Sequence, residues 1–271
     1  MRSLTAYWRA LRVTLHVLVA ALVTAVAALL RALHLQTRWL ARVTRAWHAR
    51  LCRLLGLDIQ VDGTAADGVL LVANHISWLD IPVLGACAPF VFLSKSEVRH
   101  WPLIGWMAGI VGTLYIERGA HQTADLAAAI GDQIRAGRSV VIFPEGTTGE
   151  GHDLRRFHSR LFAAAQQPGI RVQPVAIRYG SNGKPDGVAP FVGDDDLVSH
   201  LWRVLHQRRL PVRITFLPTF DPAGLDRRAL AEQSRAAIAG VLGISVDVDV
   251  DRGSVARQPR PWQRNPRSAA R

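Results

Sequence analysis

Apolar residues run without a charge from Val13 to Leu30, between Arg12 and Arg31. As a helix this 18-residue run reaches about 27 Å, close to the roughly 30 Å of a bilayer's hydrocarbon core. It is long enough either to span or to lie in one leaflet. Ala25-Val26-Ala27 resembles a signal-peptide cleavage site, but the apolar pattern continues past it into further helix. From Arg31 to Leu55 the pattern changes. At about 100° per residue, Leu40, Val43, Trp47, Leu51 and Leu54 share one face. Arg31, Arg38, Arg42, Arg45 and Arg53 centre on the other. The spacing predicts a basic amphipathic helix suited to an anionic membrane surface, or one packed by its stripe on the protein's own core.

Beyond Gly56 the period shortens. Leu57 to Val61 alternates as a strand, and Gly68 to Ala73, Val111 to Ile116 and Ser139 to Phe143 read as short apolar strands. Ile170 to Tyr179 and Val212 to Phe220 read the same way. Thr123 to Ala136, Ser159 to Gln167 and Leu225 to Leu242 read as helices. Strands alternating with helices predict an α/β fold, a mixed and largely parallel sheet flanked by helices. The expected organisation is residues 1–55 as membrane-associated helices, 56–250 as one domain and 251–271 as a tail. Arg252 to Arg271 holds six arginines and three prolines with almost no apolar content, the composition of a disordered basic segment.

Charge narrows the partners. Among 271 residues, 33 Lys and Arg face 21 Asp and Glu, a net charge of +12, which favours an anionic partner. Nucleic acid is not expected, because the arginines sit on the lipid-patterned helix and the tail and no nucleic-acid motif is present. Two cysteines, Cys52 and Cys87, build neither a disulfide framework nor a cysteine zinc site. The histidines show no metal spacing, and Asp194-Asp195-Asp196 reads as a solvated loop, so no metal is expected. Six arginines between the apolar run and Gly56 place the rest of the chain on the cytoplasmic side of the cell membrane.

The first candidate for chemistry is Asn74-His75-Ile76-Ser77-Trp78-Leu79-Asp80, directly after a strand. On one helix His75 and Asp80 would stand about 140° apart and not meet. They meet if His75 ends the strand and Asp80 opens the next helix, a start that Pro82 supports. A carboxylate on one imidazole nitrogen would leave the other to take a proton. By spacing alone, Asp80 is equally a helix cap and His75 a loop histidine. The second candidate is Phe143-Pro144-Glu145-Gly146-Thr147-Thr148-Gly149-Glu150-Gly151, a glycine-rich turn after a buried strand, where α/β sheets bind ligands.

In combination these segments resemble the glycerolipid acyltransferase family, whose best-known members acylate 1-acylglycerol-3-phosphate. Asn74-His75 to Asp80 is similar to the family's first block, histidine and aspartate separated by four residues. Gly112-Thr113-Leu114-Tyr115-Ile116-Glu117-Arg118 is similar to the second, Phe143-Pro144-Glu145-Gly146-Thr147 to the third, and Val172-Gln173-Pro174-Val175-Ala176-Ile177 to the fourth. The resemblance covers roughly residues 56 to 220. It implies an O-acyltransferase in which His75 deprotonates the acceptor hydroxyl and Asp80 orients it. It places Arg118, Lys95, Glu145, Gly146, Thr147 and Thr148 at the acceptor, and gives Pro174 a structural role in the wall between strand and site. No cofactor is implied. The donor is acyl-ACP or acyl-CoA, and the acceptor a membrane lipid. Ser77 or Cys87 as an acylated intermediate is a competing idea. Oxyanion donors are expected from backbone N–H groups near Gly146 or from a water.

One position departs from the pattern. Many lysophosphatidate acyltransferases have arginine after Phe-Pro-Glu-Gly-Thr, and here Thr148 stands there. Threonine cannot replace a guanidinium fork on phosphate. Arg155, Arg156 and Arg160 follow closely and offer compensation. The resemblance therefore implies transfer to 1-acyl-sn-glycerol-3-phosphate, giving phosphatidic acid, with a lyso-ornithine lipid acyltransferase as the alternative that threonine and Ser159-Arg160-Leu161-Phe162 also fit. A non-catalytic lipid-binding membrane module is the alternative of another class.

Overall fold

The computed structural model describes residues 2–116, 123–181 and 185–245. The second-block residues Glu117 and Arg118 and the basic tail lie outside the described residues.

Helix α1 (Arg2–Ala32) carries the apolar run and is long and apolar enough to cross a membrane over Leu4–Ala32. Its two sides differ. Ala6, Val13, His16, Thr24 and Ala27 are buried against the protein, while Leu11, Leu15, Leu18, Leu22, Val26 and Leu29 point outward. The helix is fastened near both ends. Arg9 donates to Leu54 O, Leu205 O and Gln207 O, carbonyls at the carboxyl ends of two other helices, where a cation also complements the helix dipole. Arg31 donates to Ile110 O. Between them, His16 Nε2 and Trp47 O lie 3.0 Å apart, Trp47 Nε1 donates to His16 O, and the two rings stack.

The amphipathic segment is not one helix from Arg31. It breaks after Ala32 and restarts as α2 (Trp39–Leu55), turning at His34 with φ +56°. No glycine or proline stands between residues 31 and 38 to announce the break. The stripe also faces the core rather than lipid along most of its length. Leu40, Leu51, Cys52, Leu54 and Leu55 are buried, and α2 lies against α3 (Asp80–Cys87). There Gly85 allows close approach, since a Cβ would come 1.7 Å from His48 Nδ1. Burial pushes the His48 imidazole down to about 4, so at neutral pH the packed ring is uncharged. Because a methyl at position 85 would run into that buried ring, Gly85→Ala should cost about 1–3 kcal/mol through overpacking. A thermal melt several degrees below wild type would show it.

Seven strands form the sheet, in the order β1 (Leu57–Asp62), β7 (Leu210–Phe216), β6 (Arg171–Tyr179), β2 (Val69–Ala73), β5 (Val140–Ile142), β3 (Val91–Lys95), β4 (Leu114–Ile116). All neighbours are parallel except β6 and β7. The central strands read as continuous apolar runs because both faces are covered. Leu71, Ala73, Val141, Phe143, Val175 and Ile177 join one core with α2, α3 and α7 (Leu197–His206). Leu70, Val72, Val140, Ile142, Val172 and Ala176 join the other with α6 (Thr123–Arg135), the 3₁₀ helix Ser159–Gln166 and α8 (Arg227–Leu242). The expected strand from Val111 shortens to β4, because Ile104–Val111 is helix α5, closed by Gly112 at φ +98°. A short helix α4 (Ser96–Arg99) precedes it. Strand β3 and helix α7 had no clear signal in the pattern.

Candidate active site

Strands β2, β5 and β3 run parallel as neighbours, so their carboxyl ends deliver His75, Phe143 to Thr148 and Lys95 to one edge of the sheet. A groove of about 2200 Å³ opens there. His75, Lys95, Gly146, Thr147 and Thr148 all line it.

The His75 loop is held by hydrogen bonds from several directions. Asn74, before it, spends its side chain on strand β6, donating to Ile177 O at 2.9 Å and accepting from Ile177 N at 2.7 Å. The His75 amide donates to Glu145 Oε1 at 2.7 Å, and its carbonyl accepts from Gly149 N at 2.8 Å. The imidazole stacks on Phe143, 4.1 Å between centroids. Its Nδ1 lies 2.8 Å from Asp80 Oδ2. Strand end and helix start have thus brought the two together, the arrangement that their spacing allowed. The side chain keeps 20% of its surface exposed, with Nε2 left for the groove.

Asp80 is fully buried and fully satisfied. Oδ2 also accepts from Ile76 N at 2.8 Å and Ser77 N at 3.0 Å, amides of the loop that precedes α3, so the carboxylate closes that loop on itself. Oδ1 accepts from the Tyr179 hydroxyl at 2.8 Å. Burial and the Asp80 carboxylate push the Tyr179 phenol far up, so it stays a proton-bearing donor. Tyr179 and Phe143 are partners that sequence reading missed. The only signal was an aromatic residue at the end of a strand.

The third block is a support as much as a surface. Glu145 is buried, and its Oε2 accepts from Arg155 N at 3.1 Å. Burial pushes its carboxyl above the usual range, against the two amides that favour the ionised form. Gly146, at φ +69°, has its amide bonded to Phe143 O at 3.1 Å, so that N–H closes a turn and is not a free oxyanion donor. A Cβ there would come 3.0 Å from the His158 ring. The Thr148 hydroxyl donates to Phe191 O. Lys95, Arg155, Arg156 and Arg160 are exposed cations on the groove. Pro174, in the fourth block, is buried in β6 opposite Val72 rather than in the groove wall. Its neighbour Gln173 pins Thr64 O, Leu217 O and Ala66 N.

The nucleophile alternatives find little support. Ser77 is completely buried. Burial pushes the Cys87 thiol up to about 11, far from a thiolate at neutral pH. Asp195 holds Arg203 through two 2.7 Å bonds, and Asp196 caps α7 at Val198 N and Ser199 N. Among the described residues no three His, Cys, Asp or Glu side chains group as metal ligands.

Residues 58–178 match the family model described as Acyltransferase. The chain is 51% identical to a lyso-ornithine lipid O-acyltransferase of Pseudomonas aeruginosa, over 73% of this chain and 77% of that protein. It is 33% identical to a 1-acyl-sn-glycerol-3-phosphate acyltransferase of Neisseria meningitidis, over 68% of this chain and 73% of that one. In fold it is similar to the crystal structure of the 1-acyl-sn-glycerophosphate acyltransferase of Thermotoga maritima, with a TM-score of 0.65 at 20% identity over 90% and 97% of the two chains. The chain therefore belongs to the acyltransferase family and is an O-acyltransferase, acting on a lipid acceptor and an acyl donor.

Proposed function

We propose that the protein transfers a fatty acyl group from an acyl carrier protein or coenzyme A thioester to the free hydroxyl of a lyso-ornithine lipid. The observation that carries the chemistry is His75 Nδ1 at 2.8 Å from a buried Asp80, with the ring on a groove large enough for lipid. Asp80 fixes the tautomer with the proton on Nδ1, so Nε2 is free to accept one. Nε2 takes the acceptor's hydroxyl proton as the oxygen attacks the thioester carbonyl. The tetrahedral intermediate then collapses, the C–S bond breaks, and the imidazolium returns its proton to the thiolate. No enzyme nucleophile enters.

Two observations favour this acceptor. The relative at 51% identity is a lyso-ornithine lipid enzyme, while the lysophosphatidate enzyme stands at 33%. Position 148, where an arginine fork would meet phosphate, carries a threonine whose hydroxyl is committed to the backbone. The second reading is lysophosphatidate, giving phosphatidic acid. Arg155, Arg156 and Arg160 on the groove would then supply the missing charge, with Lys95 as a further headgroup contact.

The lipid-facing surface fits the outward side of α1 and its neighbour α5 with the turn before it, where Trp101, Leu103, Ile104 and Trp106 are exposed without an intervening charge. Tryptophan favours the membrane interface. Because α1 is fastened to the protein near both ends, it favours lying in one leaflet over spanning.

Purified protein in detergent micelles, given a labelled acyl thioester with each lyso-lipid in turn, tests the acceptor. Product from lyso-ornithine lipid at a kcat/KM at least about tenfold above lysophosphatidate is expected. Product from lysophosphatidate alone would establish the second reading instead.

A further inference from the structure

Three separate stretches of backbone meet beside the general-base loop, and a single side chain closes them into a ring. Gly149 N donates to His75 O at 2.8 Å. Phe191 N donates to Ile76 O at 3.0 Å. The Thr148 hydroxyl donates to Phe191 O, which joins the second link back to the first. The ring runs from residues 75–76 to 148–149 to 191 and returns. Two of its three closures are main-chain bonds that any residue could make. The third depends on a hydroxyl at position 148.

The far side of the ring is held independently. Pro190 O lies 3.0 Å from Nε2 of His200, a fully buried residue of α7. Trp78 Nε1 donates to His200 Nδ1 at 3.0 Å, so Nδ1 accepts and Nε2 carries the proton to Pro190. Asp186 takes the amides of Val188 and Ala189 at 2.6 and 2.8 Å, and Asp195 takes Val192 N at 3.3 Å. The segment carrying Phe191 is therefore anchored before and after that residue. From the turn that carries the third block, Thr148 reaches it through its hydroxyl. Phe191, Val192 and Thr148 all line the groove beside Gly146 and Thr147.

We infer that Thr148 is a positioning residue: its hydroxyl gives no proton to the acceptor but holds Phe191 in place as an uncharged wall of the acceptor site. A hydroxyl already donating to a backbone carbonyl has no proton left for a headgroup. What lines the groove at this point is an uncharged pair, Thr148 and Phe191. An arginine here would forfeit the ring bond and introduce a cation against the Phe191 segment. The inference rests on reading the groove as the acceptor site, and does not depend on which lyso-lipid occupies it.

Thr148→Val keeps the shape and removes the donor, and Thr148→Ser keeps the donor. With the lyso-lipid that wild type prefers, Thr148→Val should raise the acceptor KM about tenfold, the effect of one unmade hydrogen bond, with a smaller change in kcat. The thioester KM should stay within about twofold, and Thr148→Ser should restore the acceptor KM to within about twofold. Hydrogen exchange at the Phe191 and Gly149 amides should speed up in Thr148→Val and not in Thr148→Ser. Wild-type acceptor KM and exchange in Thr148→Val would overturn the inference. So would equal impairment of both variants, since the hydroxyl would then not be what matters. If wild type acylates neither lipid, the acceptor reading fails, while the exchange contrast still decides the ring. If Thr148→Val does not fold, Thr148→Ala read against Thr148→Ser decides in the same way.

Discussion

His75→Ala should lower kcat by at least about 10² while leaving the fold intact. The loss follows from geometry, because His75 brings an imidazole nitrogen to the groove with its partner nitrogen already committed to a buried carboxylate. The intact fold follows from what the variant keeps. The amide of residue 75 still reaches Glu145 and its carbonyl still accepts from Gly149. Asp80 Oδ2 still accepts from the amides of Ile76 and Ser77, and Oδ1 from Tyr179. The carboxylate is therefore left with three donors, and only the stacking on Phe143 is lost from the apolar packing. Steady-state rates with saturating acceptor, alongside a thermal melt, would check both halves. A variant that turns over at the wild-type rate would remove general-base catalysis by His75 from the mechanism.

The pairing of His75 with Asp80 was left open by spacing and became legible through the four-block resemblance, with a local turn that permits it. A strand ending at Ala73 and a helix opening at Asp80 leave a short turn whose ends must lie close. The partners of that pair were not legible. Tyr179 comes from a strand roughly a hundred residues away, and its bond to Asp80 depends on the register of β6 against β2, which no single segment specifies. The role of Glu145 was misjudged for a similar reason. In sequence it reads as an acceptor ligand, but both oxygens are taken by backbone amides, so it holds the loops that carry His75 and Arg155. The amphipathic helix failed differently. A stripe at helical spacing says that one face is apolar, not what covers it. Here α3 covers it, and α1 is left with the larger outward apolar face. The break at His34 was invisible because the left-handed residue that ends α1 is neither glycine nor asparagine.

Asp80→Asn should separate the two duties of this carboxylate. The side chain has no solvent exposure and meets four donors, three at Oδ2 and one at Oδ1. An amide can keep its oxygen toward His75, Ile76 and Ser77 only by turning its NH₂ toward Tyr179. The tyrosine hydroxyl can rotate to accept one N–H, which leaves the second N–H and the displaced tyrosine proton without an acceptor in the buried site. The cost to stability is then an unmade buried hydrogen bond and the lost charge assistance, about 1–3 kcal/mol. The cost to catalysis is larger. The histidine keeps its tautomer, but the positive charge it gains on taking the proton no longer has a buried anion beside it. A fall in kcat of about 10² to 10⁴ is expected, with the acceptor KM little changed. Asp80→Ala should instead leave the amides of Ile76 and Ser77 and the Tyr179 hydroxyl without an acceptor in the core, and should fail to accumulate as folded protein. If Asp80→Asn keeps the wild-type kcat, the carboxylate serves only to hold the loop before α3, and the imidazolium needs no counter-charge from it.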